Sequence, residues 1–182
     1  RSRVLHEVRR ETASDEWLTP SHIVERATRA LGGQIDLDPC ADPARTVPAG
    51  RHMTAEEDAL GSAPWTAADG SPARAFLNPP YGGSGPGQWV RRLLREHEAG
   101  HVSRAILLLP ARLGTEWMAA LSEWPRAELT GRLCFTAGVG NPAHGQPARE
   151  AHFTSVVIGV GIAPGELHAA FAPEDAALVR AV

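Results

Sequence analysis

Lysine is absent from this chain: all 18 of its basic residues are arginine. Cysteine is scarce too. Its two thiols, Cys40 and Cys134, stand in separate segments with no CxxC pair, which argues against a disulfide framework or a zinc ribbon. The eight histidines are scattered, and no metal site is expected. No apolar stretch approaches the roughly 20 residues that cross a bilayer, so no membrane span is expected. The opening, Arg1 to Glu11, is charged rather than apolar and does not read as a signal peptide; the expected location is the cytoplasm. A net charge of -3 argues against a protein that coats nucleic acid wholesale. Local arginine clusters, Arg9-Arg10 and Arg91-Arg92-Arg95, are nonetheless suited to bidentate phosphate contacts. The plain alternative is a coding bias toward arginine on solvated helix faces.

With 182 residues, 43% hydrophobic and 21% charged, the chain can close one core but not two. Residues 1–16 carry no hydrophobic period and read as an N-terminal arm, leaving 17–182 as a single domain. Ser21 to Leu31 has one apolar helical face ending at Gly32-Gly33. Gln34 to Pro39 alternates and stops at Asp-Pro, a strand running into a loop. Residues 40–73 are the least periodic stretch, with short candidate strands at His52-Met53-Thr54 and around Trp65. Arg74 to Leu77 reads as a buried strand halted by Pro79 and Pro80. A helix follows through Trp89, Val90, Leu93 and Leu94. Ala105 to Leu109 is a continuous apolar run, the pattern of a buried parallel strand. A short helix at Trp117 to Leu121, a segment at Ala127 to Leu129, a late central strand at Phe153 to Val160 and a terminal helix complete the reading. Strands alternating with helices predict an α/β fold with a mostly parallel central sheet flanked by helices, its ligands gathered at the strands' carboxyl ends. Asp36, Asp38 and Asn78 to Tyr81 are expected there.

The block Asn78-Pro79-Pro80-Tyr81 carries the most chemistry, and its chance occurrence in a chain of this length is rarer than about one in a thousand. An aromatic amine is a poor nucleophile because its lone pair is delocalised into the ring. The Asn78 amide oxygen and the Pro79 carbonyl can accept both amine hydrogens, localising the lone pair toward a methyl donor. Two prolines fix the backbone that presents those acceptors. Tyr81, the only tyrosine, offers a stacking face for a base flipped out of its duplex, with Phe153 as a second aromatic wall. The alternative is a tight turn with a core tyrosine. Gly82, Gly83, Gly85 and Gly87 give the following loop freedom to close over a base, or simply to turn.

On these blocks the chain resembles the phage-type DNA N-6-adenine methyltransferases over about residues 15 to 160. The matching landmarks are Trp17-Leu18-Thr19-Pro20, Asp36-Leu37-Asp38-Pro39-Cys40-Ala41, Asp58-Ala59-Leu60 and Asn78 to Tyr81. Beyond them come Trp89, Leu109-Pro110-Ala111-Arg112 with Thr115 and Trp117, and Gly131 to Phe135. The resemblance implies a Rossmann-like S-adenosylmethionine-dependent methyltransferase fold. It implies that Trp17, Thr19, Pro20, Asp36, Asp38, Pro39, Cys40, Asp58, Leu60 and Asn78 hold the cofactor. Carboxylates suit that ligand's ammonium and hydroxyl groups. Alone, Thr19-Pro20 would read as a helix cap and Asp58 as a cap or a solvated acid. Arg112 and Arg132 are candidate phosphate contacts, and the polar loop from Val139 to Ala151 is a second candidate DNA contact. Asp-Pro-Cys-Ala stands where the commonest methyltransferase pattern has a Gly-x-Gly turn.

The expected activity is therefore site-specific methyl transfer from S-adenosyl-L-methionine to the N6 amine of adenine in DNA, in a phage or restriction-modification setting. Cytosine N4, an RNA amine or a glutamine side chain presents the same planar amine. A non-catalytic DNA- or cofactor-binding subunit of a modification or defence complex is the alternative of a different class. A partner subunit or a homodimer is compatible with either.

Overall fold

The computed structural model describes residues 17–82, 85–139, 141–171 and 178–180. The expected arm at 1–16, Arg9-Arg10 within it, and Gly83 lie outside them. In chain order the elements are β1 (Trp17–Leu18), α1 (Ser21–Ala30), β2 (Ile35–Asp38), β3 (Ala49–His52), a 3₁₀ turn (Ala55–Glu57), β4 (Ala73–Leu77), α2 (Gly87–Glu98) and β5 (Val102–Pro110). They continue with α3 (Glu116–Ala119), β6 (Arg126–Glu128), β7 (Cys134–Ala137), β8 (Arg149–Glu150), β9 (Ser155–Val160), α4 (Pro164–Phe171) and β10 (Leu178–Arg180).

The apolar run in β5 has no polar side to leave in water, and both of its faces are covered. Ile106 and Leu108 pack with Ile23, Val24 and Ala27 of α1 and with Leu167 and Phe171 of α4. Ala105, Leu107 and Leu109 pack on the other face with Val90 and Leu93 of α2, Met118 of α3 and the buried Trp65. Removing each such leucine from water contributes roughly 1.5–3 kcal/mol, which is why the centre of the sheet sits here. Strand order is β10-β6-β9-β5-β4-β2-β3. The ladders β2·β3, β2·β4 and β4·β5 are parallel. β9 lies antiparallel between β5 and β6, and β10 runs antiparallel to β6. Strands β2 to β6 thus point one way and β9 and β10 the other, the mostly parallel α/β sheet that the alternation of elements predicts.

Helix α1 ends where the sequence punctuates it. Gly32 and Gly33 take φ of 88° and 105°, a left-handed conformation glycine adopts without a Cβ penalty, and the Gly33 N–H closes on the Thr28 carbonyl at 2.9 Å. Among the described residues no helix is long and apolar enough to cross a membrane.

Several expectations need correction. β3 begins at Ala49, three residues before the predicted strand, and Trp65 lies in no strand; nearby there is only an isolated bridge between Thr66 and Pro72. Trp65 is a loop residue packed beneath α2, its indole N–H held by the Ala59 carbonyl at 2.8 Å. Its apolar character came from a single ring, with no period to mark a strand. β9 starts at Ser155, leaving Phe153 in the preceding loop. The chain does not close on α4, because β10 follows and pairs with β6. A second sheet, β1-β7-β8, was not foreseen. Its strands are two to four residues long, too short to show alternation.

Candidate active site

The carboxyl end of the main sheet gathers four chain segments. β2 ends at Asp38, β4 runs into Asn78, β5 ends at Pro110, and antiparallel β9 starts opposite it at Ser155. Side chains alternate along a strand. Phe76 faces α1 and α4, so Asn78, two residues on, shares that parity. The start of α1 comes to the same place. Pro20 takes the position before the helix with no side-chain cap, and its carbonyl receives the N–H groups of Ile23 and Val24 at 3.0 and 3.2 Å. Thr19 is therefore not the helix cap. Its Oγ1 instead accepts a hydrogen bond from Asn78 Nδ2 at 2.9 Å.

The other end of the Asn78 amide is also engaged. The Tyr81 hydroxyl lies 2.7 Å from Asn78 Oδ1 and 3.0 Å from the Leu108 carbonyl. A phenol has one proton, so it donates to one acceptor at a time while the other stands in reserve. Burial pushes the Tyr81 hydroxyl above its ordinary range, with Arg112 pulling the other way; it remains a neutral donor. The Tyr81 ring meets Phe153 edge to face, centroids 5.3 Å apart and planes at 79°. These rings do not form the parallel walls of a sandwich; Phe153 buttresses the tyrosine. Pro79 is buried and Pro80 half-buried. Among the described residues no group donates to the Pro79 carbonyl.

Asp38 is the second unusual group. Only 3% exposed, its Oδ1 accepts the Cys40 N–H at 3.1 Å, while its main-chain carbonyl receives Met53 N at 2.9 Å. Burial pushes this carboxyl up to about 7, opposed by the Cys40 N–H and reinforced by Asp42. One bonded oxygen leaves acceptor capacity unused, which suits a cation or hydroxyls brought by a ligand. Pro39 is buried, and Cys40 is half-buried with its thiol pushed up by burial and by Asp38, away from thiolate chemistry.

Asp36 belongs elsewhere. Near the start of β2, its carboxylate receives Arg74 N and Nε at 2.9 and 2.8 Å and Arg74 Nη2 at 3.2 Å, with Gln34 Nε2 at 2.6 Å. Burial works to raise its pKa, and these hydrogen bonds outweigh it and hold the group low. An acid so fully engaged ties β2 to β4. It lies two residues before Asp38 in the same strand, with its acceptors already taken. Asp58 is exposed, at φ 45° after the 3₁₀ turn, and Leu60 is half-buried. Trp17, half-buried in β1, pairs with Ala137 and packs on the α1 side of the sheet. Arg112 is exposed just beyond β5. Arg132 is exposed and 3.8 Å from Glu150, apart from the Asn78 cluster.

Arg92, read from sequence within a phosphate-binding cluster, is 6% exposed. Its guanidinium bonds Glu96 Oε1 at 2.8 Å, the Ala63 carbonyl at 2.6 Å and the Gly61 carbonyl. Glu96 Oε2 receives Trp65 N at 2.9 Å and meets His101 Nδ1 at 2.8 Å. This network fastens the loop after Asp58 to α2, and only Arg91 and Arg95 of the cluster face solvent. The four-residue spacing of Arg92 and Glu96 was the signal available for it. His97 and His101 share that spacing, yet His97 Nδ1 meets the Val102 carbonyl at 2.8 Å. No group of three or more His, Cys, Asp or Glu among the described residues could hold a metal ion. Ser155 gave no sequence signal; it is 1% exposed with its hydroxyl unpartnered, opposite Pro110.

The family model described as DNA N-6-adenine-methyltransferase (Dam) matches residues 7–157 of the chain. No curated protein matches it.

Proposed function

We propose, on the premise that this chain belongs to the DNA N-6-adenine-methyltransferase (Dam) family, that it transfers a methyl group from S-adenosyl-L-methionine to the N6 amine of an adenine flipped out of DNA. The observation that carries this is the Asn78 amide: its oxygen is covered by a hydroxyl that has a second acceptor waiting in Leu108. An incoming amine can take that oxygen while Tyr81 turns its proton to the Leu108 carbonyl, so no buried donor is stranded.

The donor set fits the cofactor. Asp38, buried with unused acceptor capacity, would bind a cationic ammonium or ribose hydroxyls. Trp17, Thr19, Pro20 and Asp58 are further members of the set that the family landmarks imply. When bound, the cofactor supplies an electrophilic methyl on a sulfonium. Asn78 Oδ1 and the Pro79 carbonyl accept the two amine hydrogens, directing the nitrogen lone pair out of the ring. Tyr81 stacks on the base through its ring, held from behind by Phe153. No general base is required before attack; the extra proton leaves afterwards to solvent.

The test is transfer of labelled methyl from S-adenosylmethionine to unmodified DNA, followed by digestion and nucleoside mass spectrometry. Methyladenine from wild type and none from Asn78→Ala is the expected result. Methylcytosine would keep the mechanism and change the base. Absence of product despite measured cofactor binding would refute catalysis by the chain alone.

A further inference from the structure

A side-chain amide is nearly symmetric in shape and opposite in function at its two ends. For Asn78 to receive an amine hydrogen, its oxygen must face the base and its nitrogen must face away, so something has to prevent the amide from turning over. In the free protein two hydroxyls do so together: Tyr81 on Oδ1 at 2.7 Å and Thr19 on Nδ2 at 2.9 Å. Once an amine takes Oδ1 and Tyr81 turns toward Leu108, Thr19 is the partner left on the amide nitrogen. We propose that Thr19 is a positioning residue for methyl transfer, fixing the orientation of the Asn78 amide.

The backbone around Thr19 suits that task. Immediately before it, Leu18 is paired with Thr136 in the small sheet. Immediately after it, the Pro20 carbonyl is tied into the first turn of α1. The hydroxyl is held from both sides across 59 residues of sequence from its partner. This also gives the β1-β7-β8 sheet a purpose: it anchors the residue that orients Asn78. Replacing Thr19 with isosteric valine leaves Nδ2 without its acceptor, and an amide free to rotate presents a donor to a donor.

The inference rests on Asn78 orienting the target amine, and its test separates the two. Asn78 and Asn141 are the only asparagines in the chain, so ¹⁵N-asparagine labelling yields two side-chain amide pairs, assigned with Asn78→Ala. Thr19→Val should shift the Asn78 pair toward solvent-like values, leave the Asn141 pair unmoved as a control of folding, and be reversed by Thr19→Ser. At saturating S-adenosylmethionine, Thr19→Val should lower the single-turnover rate roughly 10- to 100-fold, the loss expected for one positioned hydrogen bond. Because the rate is read at saturating cofactor, the loss should persist whatever the variant does to cofactor Kd, and Thr19→Ser should retain most of the rate. Unmoved Asn78 signals would overturn the inference. So would a raised cofactor Kd with an unchanged saturated rate, which would make Thr19 a cofactor contact only. If wild type yields no methylated base, the functional proposal falls, and the amide signals still decide whether Thr19 holds Asn78.

Discussion

The phenol of Tyr81 donates to the amide oxygen of Asn78 across 2.7 Å, so the residue offered as a stacking platform also occupies the acceptor that the target amine needs. Ring and hydroxyl have separable roles. Tyr81→Phe keeps the ring and removes the competitor, so the methyl-transfer rate should stay within about threefold of wild type, while stability falls by about 1 kcal/mol as the one hydrogen bond the phenol donates is lost. Tyr81→Ala removes the stacking face and should raise KM for DNA roughly 5- to 150-fold, the equivalent of 1–3 kcal/mol of base stacking. Steady-state kinetics with thermal melts separates the two. Equal kinetic loss in both variants would mean that the hydroxyl, not the ring, carries the function.

In the proposed reaction Asn78 and Asp38 have different tasks. Asn78→Ala should lower the rate by at least about 100-fold, the scale of losing one preorganised polar partner of the reacting group, with little change in cofactor Kd. Asp38→Ala should weaken cofactor binding first. Equilibrium binding of the cofactor beside single-turnover rates reads both, and equal cofactor loss in the two variants would contradict the division.

Asp38 also predicts a pH dependence. Burial raises its carboxyl to about 7 in the folded protein, against about 3.9 for an unfolded aspartate. Between those values the folded state keeps a proton that the unfolded chain has lost, so this group's contribution to stability falls as pH rises through the window and levels off above it. A cationic ligand binds the ionised form, so affinity for S-adenosylmethionine should rise with pH through about 7. Asp38→Asn should abolish that rise. In the ligand-free protein it should also increase stability at pH 8.5, by less than about 4 kcal/mol, with little effect at pH 4. Denaturant titrations at the two pH values check it; a stability gain equal at both would exclude the buried carboxyl as the cause.

The legible part of the molecule was the part written as a period or as punctuation. The apolar run of β5, the Gly32-Gly33 stop and the two prolines after Leu77 each act over neighbouring residues, and each element lies close to its expected place. The strand-end carboxylates illustrate the limit. Asp36 and Asp38 are two residues apart on the same side of a strand, and sequence treats them alike; yet Arg74 claims the first from 38 residues away while the second is left nearly unpartnered. Arg92 looked like surface charge because only its bond to Glu96 is local; its other acceptors are main-chain carbonyls of a loop 29 and 31 residues earlier. The Thr19–Asn78 bond was hidden in the same way. Both residues were singled out in sequence, but nothing in their own segments says that they touch.

That buried network makes the last prediction. Burial disfavours the Glu96 carboxylate, but the Trp65 N–H, His101 and the charge of Arg92 outweigh it and hold the pKa below its ordinary value of 4.5. A carboxylate held low contributes stability that is present above the unfolded pKa and is lost as pH falls below about 4.5. Glu96→Ala leaves Arg92 charged inside the protein beside Trp65, with its remaining bonds only to carbonyls. Loss of one member of a buried pair should destabilise the fold by roughly 3–5 kcal/mol at pH 7. The gap from wild type should narrow as pH falls below about 4.5 and Glu96 takes up its own proton. Glu166→Gln, whose ion pair with Arg104 is 3.2 Å long but partly in solvent, should leave Tm nearly unmoved. Because Trp65 N and the carbonyls of Gly61 and Ala63 depend on the same cluster, Glu96→Ala should also loosen the Asp58-to-Leu60 segment. Amide exchange there should accelerate in step with the loss of stability. If the variant instead matches Glu166→Gln in melting and exchange, the cluster is not what holds the loop to α2.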